Sequence, residues 1–318
     1  MSEQPPLDAA LNAFRKRDRQ FVLTRAAAAY YGLVMLASAA FIALTWTQWS
    51  QVIAWYLGLV SSISSGGEPS APPQHVMLAL APFYAVFGLI SLVLFAAFEA
   101  ACLRWLIRGE SGGGLLGLKL DADTWRVVGV YWLWIAYFLC VVVAIGVFYG
   151  LLAAVGSIGG AARIIAMLVG ALAPIGILAM LVWGGALFAP AAATSVGRRK
   201  LTFLSARKVS APRYWPLLTS FFMVIVGYLI VSTVLSTILQ IPINNAVTPV
   251  MRRILSGADG AEAVSLLQEA FSTPLMIGVF AVNLLVSFLL ATAYYIAMFG
   301  VNARAFEAAA DAGQIERG

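Results

Sequence analysis

The stretch from Phe188 to Leu217, FAPAAATSVGRRKLTFLSARKVSAPRYWPL, lies between two apolar runs that are each long enough to cross a bilayer. It contains no acidic residue and six basic ones, which are Arg198, Arg199, Lys200, Arg207, Lys208 and Arg213. Lys and Arg accumulate in the short cytoplasmic loops of membrane proteins. The stretch therefore predicts a chain that spans the membrane, and it places this connection in the cytoplasm.

The composition agrees with a membrane-embedded chain. Of the 318 residues, 62% are hydrophobic and 11% are charged, whereas soluble globular domains have about 25% charged residues. Several apolar runs exceed the roughly 18 residues that are typical of a transmembrane helix. We therefore expect an all-α, polytopic transmembrane helical bundle that forms one membrane domain.

The net charge of +6 is the one global property that suggests a nucleic-acid partner. A cytoplasmic excess of Lys and Arg explains the same charge. The sequence also has no basic patch with interleaved aromatic residues and no nucleic-acid-binding motif. We expect no nucleic-acid partner.

The apolar runs predict six spans, with a cytoplasmic segment (1–25) before them and a cytoplasmic tail (303–318) after them. The spans are expected at 26–46, 76–98, 124–155, 163–189, 215–240 and 274–302. The bundle is expected to carry short interfacial amphipathic helices as well. The distribution of charge over the connections decides the orientation of these spans.

Local signals refine this map. Asp121 and Asp123 precede the third span and suit the first turn of a helix. There, carboxylates cap free N–H groups and interact favourably with the positive end of the helix dipole. Pro174 predicts a kink inside the fourth span. The long connection after the fifth span is expected to hold two short helices, Asn244–Leu255 and Ala261–Phe271.

The basic residues divide sharply between the two sides of the predicted bundle. The amino-terminal segment has five, the connection after span 2 has four, the connection after span 4 has six, and the tail has two. The three connections on the opposite side have none, one and two, which accounts for all 20. Six spans with both termini in the cytoplasm are the only even arrangement that puts the large counts on one side.

Two segments have the pattern of helices that lie on a membrane surface. In the amino-terminal segment, apolar residues recur at near-helical spacing and cations occupy the remaining surface; the apolar residues are Leu7, Leu11, Phe14 and Phe21. Such a segment is either an amphipathic helix on the cytoplasmic leaflet or a solvated approach to the first span. In the basic connection, Leu201, Phe203, Leu204 and Val209 suggest a helix in the headgroup layer.

Glu99 is the one carboxylate near the hydrocarbon boundary of a span. Arg104 and Arg108 follow it and lie four residues apart, hence on one helical face. At a helix end, a structural ion pair or snorkelling is the favoured interpretation, and a functional buried charge is the alternative. No second carboxylate or histidine lies at a matching depth, so a proton relay would lack its other member.

The sixth span carries a narrow stripe of small and polar residues every four positions. Its members are Asn283, Ser287, Ala291 and Tyr295. Such stripes usually mediate helix packing with hydrogen bonds between helices. The alternative is that the stripe lines a polar pathway, as in a transporter or channel.

No established catalytic, metal or cofactor motif is present. The loop Gly112–Lys119, GGGLLGLK, lacks the Gly-Lys-Ser/Thr that a phosphate-binding P-loop requires. His75 is expected in a solvated loop with only Glu68 nearby, and one histidine cannot build a Cys/His metal site. Cys102 and Cys140 are expected about 20 Å apart in depth, too far for a disulfide.

The stretch Leu201–Leu218, LTFLSARKVSAPRYWPLL, carries a family resemblance together with the residues before it. Phe188, Pro190 and Ala191 match a helix ending in F-x-P-A; Ala206, Ser210, Tyr214 and Trp215 match A-x-x-x-[ST]-x-x-x-[FY]-W. The sequence thereby resembles six-span bacterial inner-membrane proteins of the YciC type and the membrane domain attached to glycerophosphoryl diester phosphodiesterases. Pro212 departs from the pattern, where glycine is common.

The resemblance implies a multi-pass protein of the bacterial cytoplasmic membrane. No connection between spans is long enough for the phosphodiesterase domain, so no catalytic residue carries over. The leading hypothesis is a non-enzymatic envelope scaffold or modulator of membrane lipids, without cofactor, whose six cations and Trp215 contact anionic headgroups. A transporter or channel is the alternative, and a lipid enzyme would have to use Glu99 or His75. Protein partners, including a second copy of the chain, stay open.

The predicted orientation is testable with topology reporters in bacterial cells. Alkaline phosphatase fused after Ser65 should be active and the same reporter fused after Ser205 inactive, because the enzyme matures only outside the cytoplasm. Green fluorescent protein should give the inverse pattern. Reporters that place both positions on the same side of the membrane would contradict the six-span arrangement.

Overall fold

The computed structural model describes residues 6–15, 21–64, 71–111, 113–114, 116–256 and 260–318. In this part of the chain the secondary structure is helical, without β-strands. Six helices are long and apolar enough to span a membrane. The predicted class, an all-α polytopic membrane protein, is confirmed.

Eleven α-helices occur among the described residues. They are α1 (Pro6–Ala10), α2 (Asn12–Arg15), α3 (Val22–Ser64), α4 (Gln74–Leu103), α5 (Ala122–Ser157), α6 (Gly160–Phe188), α7 (Ala191–Gly197), α8 (Ala206–Ser210), α9 (Tyr214–Leu255), α10 (Gly260–Phe271) and α11 (Pro274–Asp311). A π-helical turn, Arg104–Arg108, continues α4, and a 3-10 turn, Ala211–Arg213, joins α8 to α9. The six candidate spans contain α3, α4, α5, α6, α9 and α11.

The start of α5 follows from its sequence. The carboxylate of Asp121 accepts hydrogen bonds from the backbone N–H groups of Asp123 and Thr124, each at 3.1 Å. These are two of the N–H groups that a helix leaves without internal partners at its beginning. The predicted cap at Asp121 is confirmed, and Asp123 lies in the first turn as expected.

Several helices are longer than predicted. Helix α3 runs on to Ser64, and α11 continues into the predicted tail as far as Asp311. Helix α9 passes through Pro242 and Pro249 to Leu255, so the separate helix expected at Asn244–Leu255 is wrong. Proline fits the helical φ angle and removes only one N–H group, so it does not always end a helix.

Other local expectations have different outcomes. His75 lies in the first turn of α4 and is exposed, so its expected loop position is wrong. Pro174 lies inside α6, and the kink expected there stays a prediction. The amino-terminal segment forms two short helices separated at Leu11, with residues 16–20 outside the described part, so one continuous amphipathic helix is not observed before Arg15. The second short helix after span 5 is confirmed as α10.

The chain divides into two compact units. The first unit comprises Met1–Ala26, Ala96–Val224 and Ile296–Gly318. The second unit comprises Ala27–Phe95 and Ile225–Tyr295. The first unit therefore contains α5 to α8 whole and the adjoining ends of α4, α9 and α11.

The core of the first unit is built around α7. Every residue of Ala191–Gly197 is buried, and this helix packs against α5 and the π-turn. Gly197 has no side chain at the point where the ring of Phe306 approaches, and a Cβ atom there would overlap that ring. The small residues of α7 thus allow close packing of the kind that membrane proteins use between helices.

The second unit has a small core near the end of α3. Leu57 is buried there against Val250 and Met251 of α9 and Leu266 and Leu267 of α10. Leu266 and Leu267 of α10 are thereby partly buried against α3.

Candidate functional site

The candidate site lies in the first unit, where the π-turn meets the start of α5 and the end of α7. The turn ends at Gly109, whose φ of 69° is left-handed and whose N–H donates to the carbonyl oxygen of Trp105 at 3.0 Å. Left-handed backbone favours glycine because it has no Cβ atom. π-Turns are rare within α-helices and frequently occur at functional sites.

Ion pairs join the π-turn to the start of α5. Nη1 of Arg104 donates to both carboxylate oxygens of Asp121 at 2.6 Å. Arg108 donates to one oxygen of Asp123, and Arg126 donates to the other. Arg104 is 2% exposed and Asp123 is 6% exposed, so these pairs are largely shielded from water. Such pairs are costly to break because one charge would stay buried alone.

Glu99 is buried and has a different partner. Its carboxylate accepts a hydrogen bond from the hydroxyl of Tyr131, a residue that the sequence analysis did not single out. Among the described residues no cation forms an ion pair with Glu99. Glu99 therefore does not join the pairs that Arg104 and Arg108 make, although all three lie near the end of the second span.

The end of α7 has the hydrogen bonds of a Schellman motif. The N–H of Arg199 donates to the carbonyl of Val196 at 3.2 Å, and the N–H of Lys200 donates to that of Ser195 at 3.1 Å. Glycine is the usual residue at the position of Arg199, whose φ is 51°. A left-handed conformation costs a residue with a Cβ atom about 1–2 kcal/mol. The backbone conformation of Arg199 is therefore less favourable than that of a glycine at the same position.

Glu110 connects the π-turn to the end of α7. One of its carboxylate oxygens accepts from Nη2 of Arg108 at 3.0 Å, and the other accepts from Nη2 of Arg199 at 3.3 Å. Nη1 of Arg108 also donates to the carbonyl of Val196 at 3.1 Å. The side chain of Glu110 is 45% exposed, so this is the accessible edge of the cluster.

The π-turn holds more hydrogen-bond donors than the described residues satisfy. Nε and Nη2 of Arg104, Nε of Arg108 and Nε1 of Trp105 are buried and have no partner among the described residues. All of these atoms are donors, and neither side-chain type contains an acceptor. Leaving a buried donor unpaired costs about 1–3 kcal/mol, and more for a charged group. The surplus donors suit a group rich in acceptor oxygens.

The six cations of the predicted lipid surface divide into two kinds. Arg213 donates to Gln314 at 2.7 Å and to the carbonyl of Ala308 at 3.0 Å, and Arg198 donates to Ser205 at 3.3 Å, so both are bonded within the protein. The other four are exposed, namely Arg199, Lys200, Arg207 and Lys208. Of these four, only Arg199 forms an ion pair with a described residue.

The apolar residues of the same connection also divide. Leu201 and Leu204 are exposed, and Trp215 is 71% exposed. In contrast, Val209 is buried, and the ring of Phe203 stacks on Phe188 with centroids 5.0 Å apart. Only part of the predicted apolar face is therefore available to a membrane.

The remaining predicted positions lie elsewhere. Asn283 is half-buried and Ser287 is exposed, and both belong to the second unit. Cys102 and Cys140 form no disulfide, as predicted. Within the described ranges, no group of three or more His, Cys, Asp or Glu residues is placed to hold a metal ion.

No protein-family model, curated protein or solved structure matches this chain.

The buried pairs make a prediction about stability. Asp123→Asn should lower the free energy of unfolding by about 3 kcal/mol, because Arg108 and Arg126 lose the charge that both of them face. Glu110→Gln, which removes one charge from the exposed edge, should change it by about 1 kcal/mol or less. Reversible unfolding in detergent, followed by circular dichroism, measures both. Equal losses of unfolding free energy in the two variants would show that the buried pairs of Asp123 contribute no more to stability than the exposed pairs of Glu110.

Proposed function

We propose that this integral membrane protein acts without catalysis, as a scaffold or modulator of membrane lipids in the bacterial cytoplasmic membrane. The observation that carries the proposal is the surface around α8. There Arg207 and Lys208 are exposed and form no ion pair with the described residues, and Leu204 and Trp215 are exposed on the same connection. We call these four residues the α8 surface.

The chemistry of the α8 surface fits a membrane interface that contains anionic lipids. Each Lys or Arg near an anionic leaflet contributes about 1 kcal/mol of attraction. Tryptophan favours the headgroup region, and an exposed leucine can insert among the upper acyl chains. The combination of two cations with Leu204 and Trp215 is therefore suited to negatively charged headgroups.

The fold holds the α8 surface firmly. Val209 is buried on one side of α8, and Arg213 is bonded to Gln314 and to the backbone of Ala308 at the end of α11. Little conformational entropy would then be lost on contact with lipid, which favours binding by a preorganised surface. This rigidity supports a scaffolding role.

The carboxylates of the candidate site support a role without catalysis. Asp121 accepts hydrogen bonds from Arg104 and from two backbone N–H groups at the start of α5. Asp123 accepts from Arg108 and Arg126, so both carboxylates are engaged within the protein. A general acid or base must instead lie within hydrogen-bond reach of the proton that it transfers. The resemblance to YciC-type membrane proteins also supports a role without catalysis, because no catalytic residue carries over from it.

The proposal predicts selective retention of anionic lipid. Protein extracted from cell membranes into nanodiscs should carry more phosphatidylglycerol and cardiolipin than bulk membrane does, as measured by lipid mass spectrometry. The double variant Arg207→Ala/Lys208→Ala should lose most of this enrichment, because two exposed cations are removed.

A matched control is available on α9. Arg252→Ala/Arg253→Ala also removes two exposed cations, but from the side predicted to be external, and it should retain the enrichment. Equal loss in both double variants would show an effect of net charge alone. Absence of enrichment in the unmodified protein, together with unchanged membrane lipids after gene deletion, would refute the proposed function.

A second candidate is an ion or small-solute transporter, and Glu99 favours it. A buried carboxylate in a membrane-spanning helix, paired with no described cation, is a frequent feature of proton and cation pathways. Its hydrogen bond with Tyr131 places a hydroxyl beside it that can donate to or accept from a proton carrier.

The transporter candidate predicts ion movement that depends on Glu99. Proteoliposomes loaded with a pH-sensitive dye should equilibrate an imposed proton gradient faster than empty liposomes do. Glu99→Gln should abolish the difference, whereas Asn283→Leu should not if the second-unit stripe only packs helices. Leakage that equals that of empty liposomes for ions and small solutes would eliminate this candidate.

A further inference from the structure

We propose that the π-turn and the end of α7 form a binding site for a phosphoryl group, in which Glu110 is the exchangeable acceptor between Arg108 and Arg199. This inference deepens the proposed function by naming the ligand chemistry, and it rests on that function only for its link to lipids. The site lies entirely within the first unit. The ligand of this site is a tetrahedral group with several negatively charged oxygens.

Two arginines from separate elements converge on one carboxylate. Arg108 from the π-turn and Arg199 from the end of α7 donate to the two different oxygens of Glu110, at 3.0 Å and 3.3 Å. Guanidinium groups bind phosphate in the same way as carboxylate, through charge-assisted hydrogen bonds to separate oxygens. The positions of the Glu110 oxygens therefore mark where phosphoryl oxygens would bind.

Glu110 can exchange with an external anion. Its side chain is 45% exposed and that of Arg199 is 57% exposed, so the pair is in contact with solvent. Exposed ion pairs contribute little to stability. Moving Glu110 into water should cost the fold little, and the edge of the site would then be open.

The guanidinium of Arg108 holds a donor that Glu110 does not use. Its Nε is buried without a partner among the described residues, as are Nε1 of Trp105 and Nε and Nη2 of Arg104 elsewhere in the π-turn. A carboxylate has two oxygens, whereas a phosphoryl group presents three or four, so it offers further acceptors to the same guanidinium.

The charges at the site also favour an anion. Four cations meet there, namely Arg104, Arg108, Arg126 and Arg199, against three carboxylates, namely Asp121, Asp123 and Glu110. Asp121 and Asp123 lie at the capped start of α5 and are held by buried arginines. Displacement of Glu110 increases the excess of positive charge facing the ligand, which favours a phosphoryl dianion over a single carboxylate.

The backbone of Arg199 points to selection for its side chain. It occupies the left-handed position of the Schellman motif, where glycine would be free of strain. Strained residues are often found where a ligand is held. Glycine would serve a purely structural role at this position better than arginine does. Replacing Arg199 with glycine therefore tests the role of its side chain without straining the backbone.

Two sources can supply the phosphoryl group, a phospholipid headgroup and free inorganic phosphate. The test uses the full-length protein in nanodiscs made only of phosphatidylcholine. It is titrated separately with dihexanoyl phosphatidic acid and with inorganic phosphate, and binding is followed by microscale thermophoresis. Binding of either probe supports the site: preference for phosphatidic acid assigns a lipid, and preference for phosphate assigns the free ion.

The variants separate a built site from general attraction. Arg199→Gly should weaken binding about tenfold, the loss expected for one charge-assisted hydrogen bond, while its melting temperature stays the same or rises because the strain is relieved. Lys200→Ala removes the same charge from the adjacent exposed residue and should change affinity by about twofold or less. Glu110→Gln should tighten binding, because it removes the competing carboxylate.

Three results would overturn the site: no binding of either probe, equal weakening by Arg199→Gly and Lys200→Ala, or no response to Glu110→Gln. These results are independent of the lipid-retention experiment. Retention of anionic lipid without binding of these probes would refute the site but keep the proposed function. Binding of phosphate in a protein that retains no anionic lipid would support the site but refute the proposed function.

Discussion

The ion pairs between the end of α4 and the start of α5 are the interaction on which the first unit depends. Two arginines four residues apart face two aspartates two residues apart, and Arg126 closes the group on Asp123. Charges at the ends of apolar helices have few alternative partners, so a shift of either helix would leave a buried charge alone. The pairs therefore fix the register of the two helices, and the π-turn provides the local backbone that this register requires.

The position of α7 follows from the same pairs. Arg108 uses one nitrogen for Asp123 and another for the carbonyl of Val196, so one side chain links α5 to the end of α7. Helix α7 consists of small residues and is buried throughout, which allows the ring of Phe306 to pack closely on Gly197. The basic connection after α7 consequently begins from a fixed point in the core.

The sequence was informative where one residue or one run decides the outcome. Long apolar runs predict spans, and the Asp121 cap depends only on the next three residues. The predicted end of the fifth span at residue 240 was wrong, because α9 continues through Pro242 and Pro249 to Leu255. The partners of Arg104 and Glu99 were also missed, because the register between helices is not encoded at any one position. For Arg104 a signal was present, namely arginines and aspartates that flank one connection, but it did not specify which residues pair.

Counting cations predicts an orientation for the chain but does not separate the roles of individual cations. Arg104 and Arg213 are bonded within the protein and serve its fold, whereas Arg207 and Lys208 have no described ionic partner and face outward. Arg108 belongs to both kinds, because its Nη2 donates both to the buried carboxylate of Asp123 and to exposed Glu110. An anion that replaces Glu110 would therefore act on a side chain that also holds α5 and α7. Ligand binding at this edge would thus be coupled to the stability of the core through Arg108.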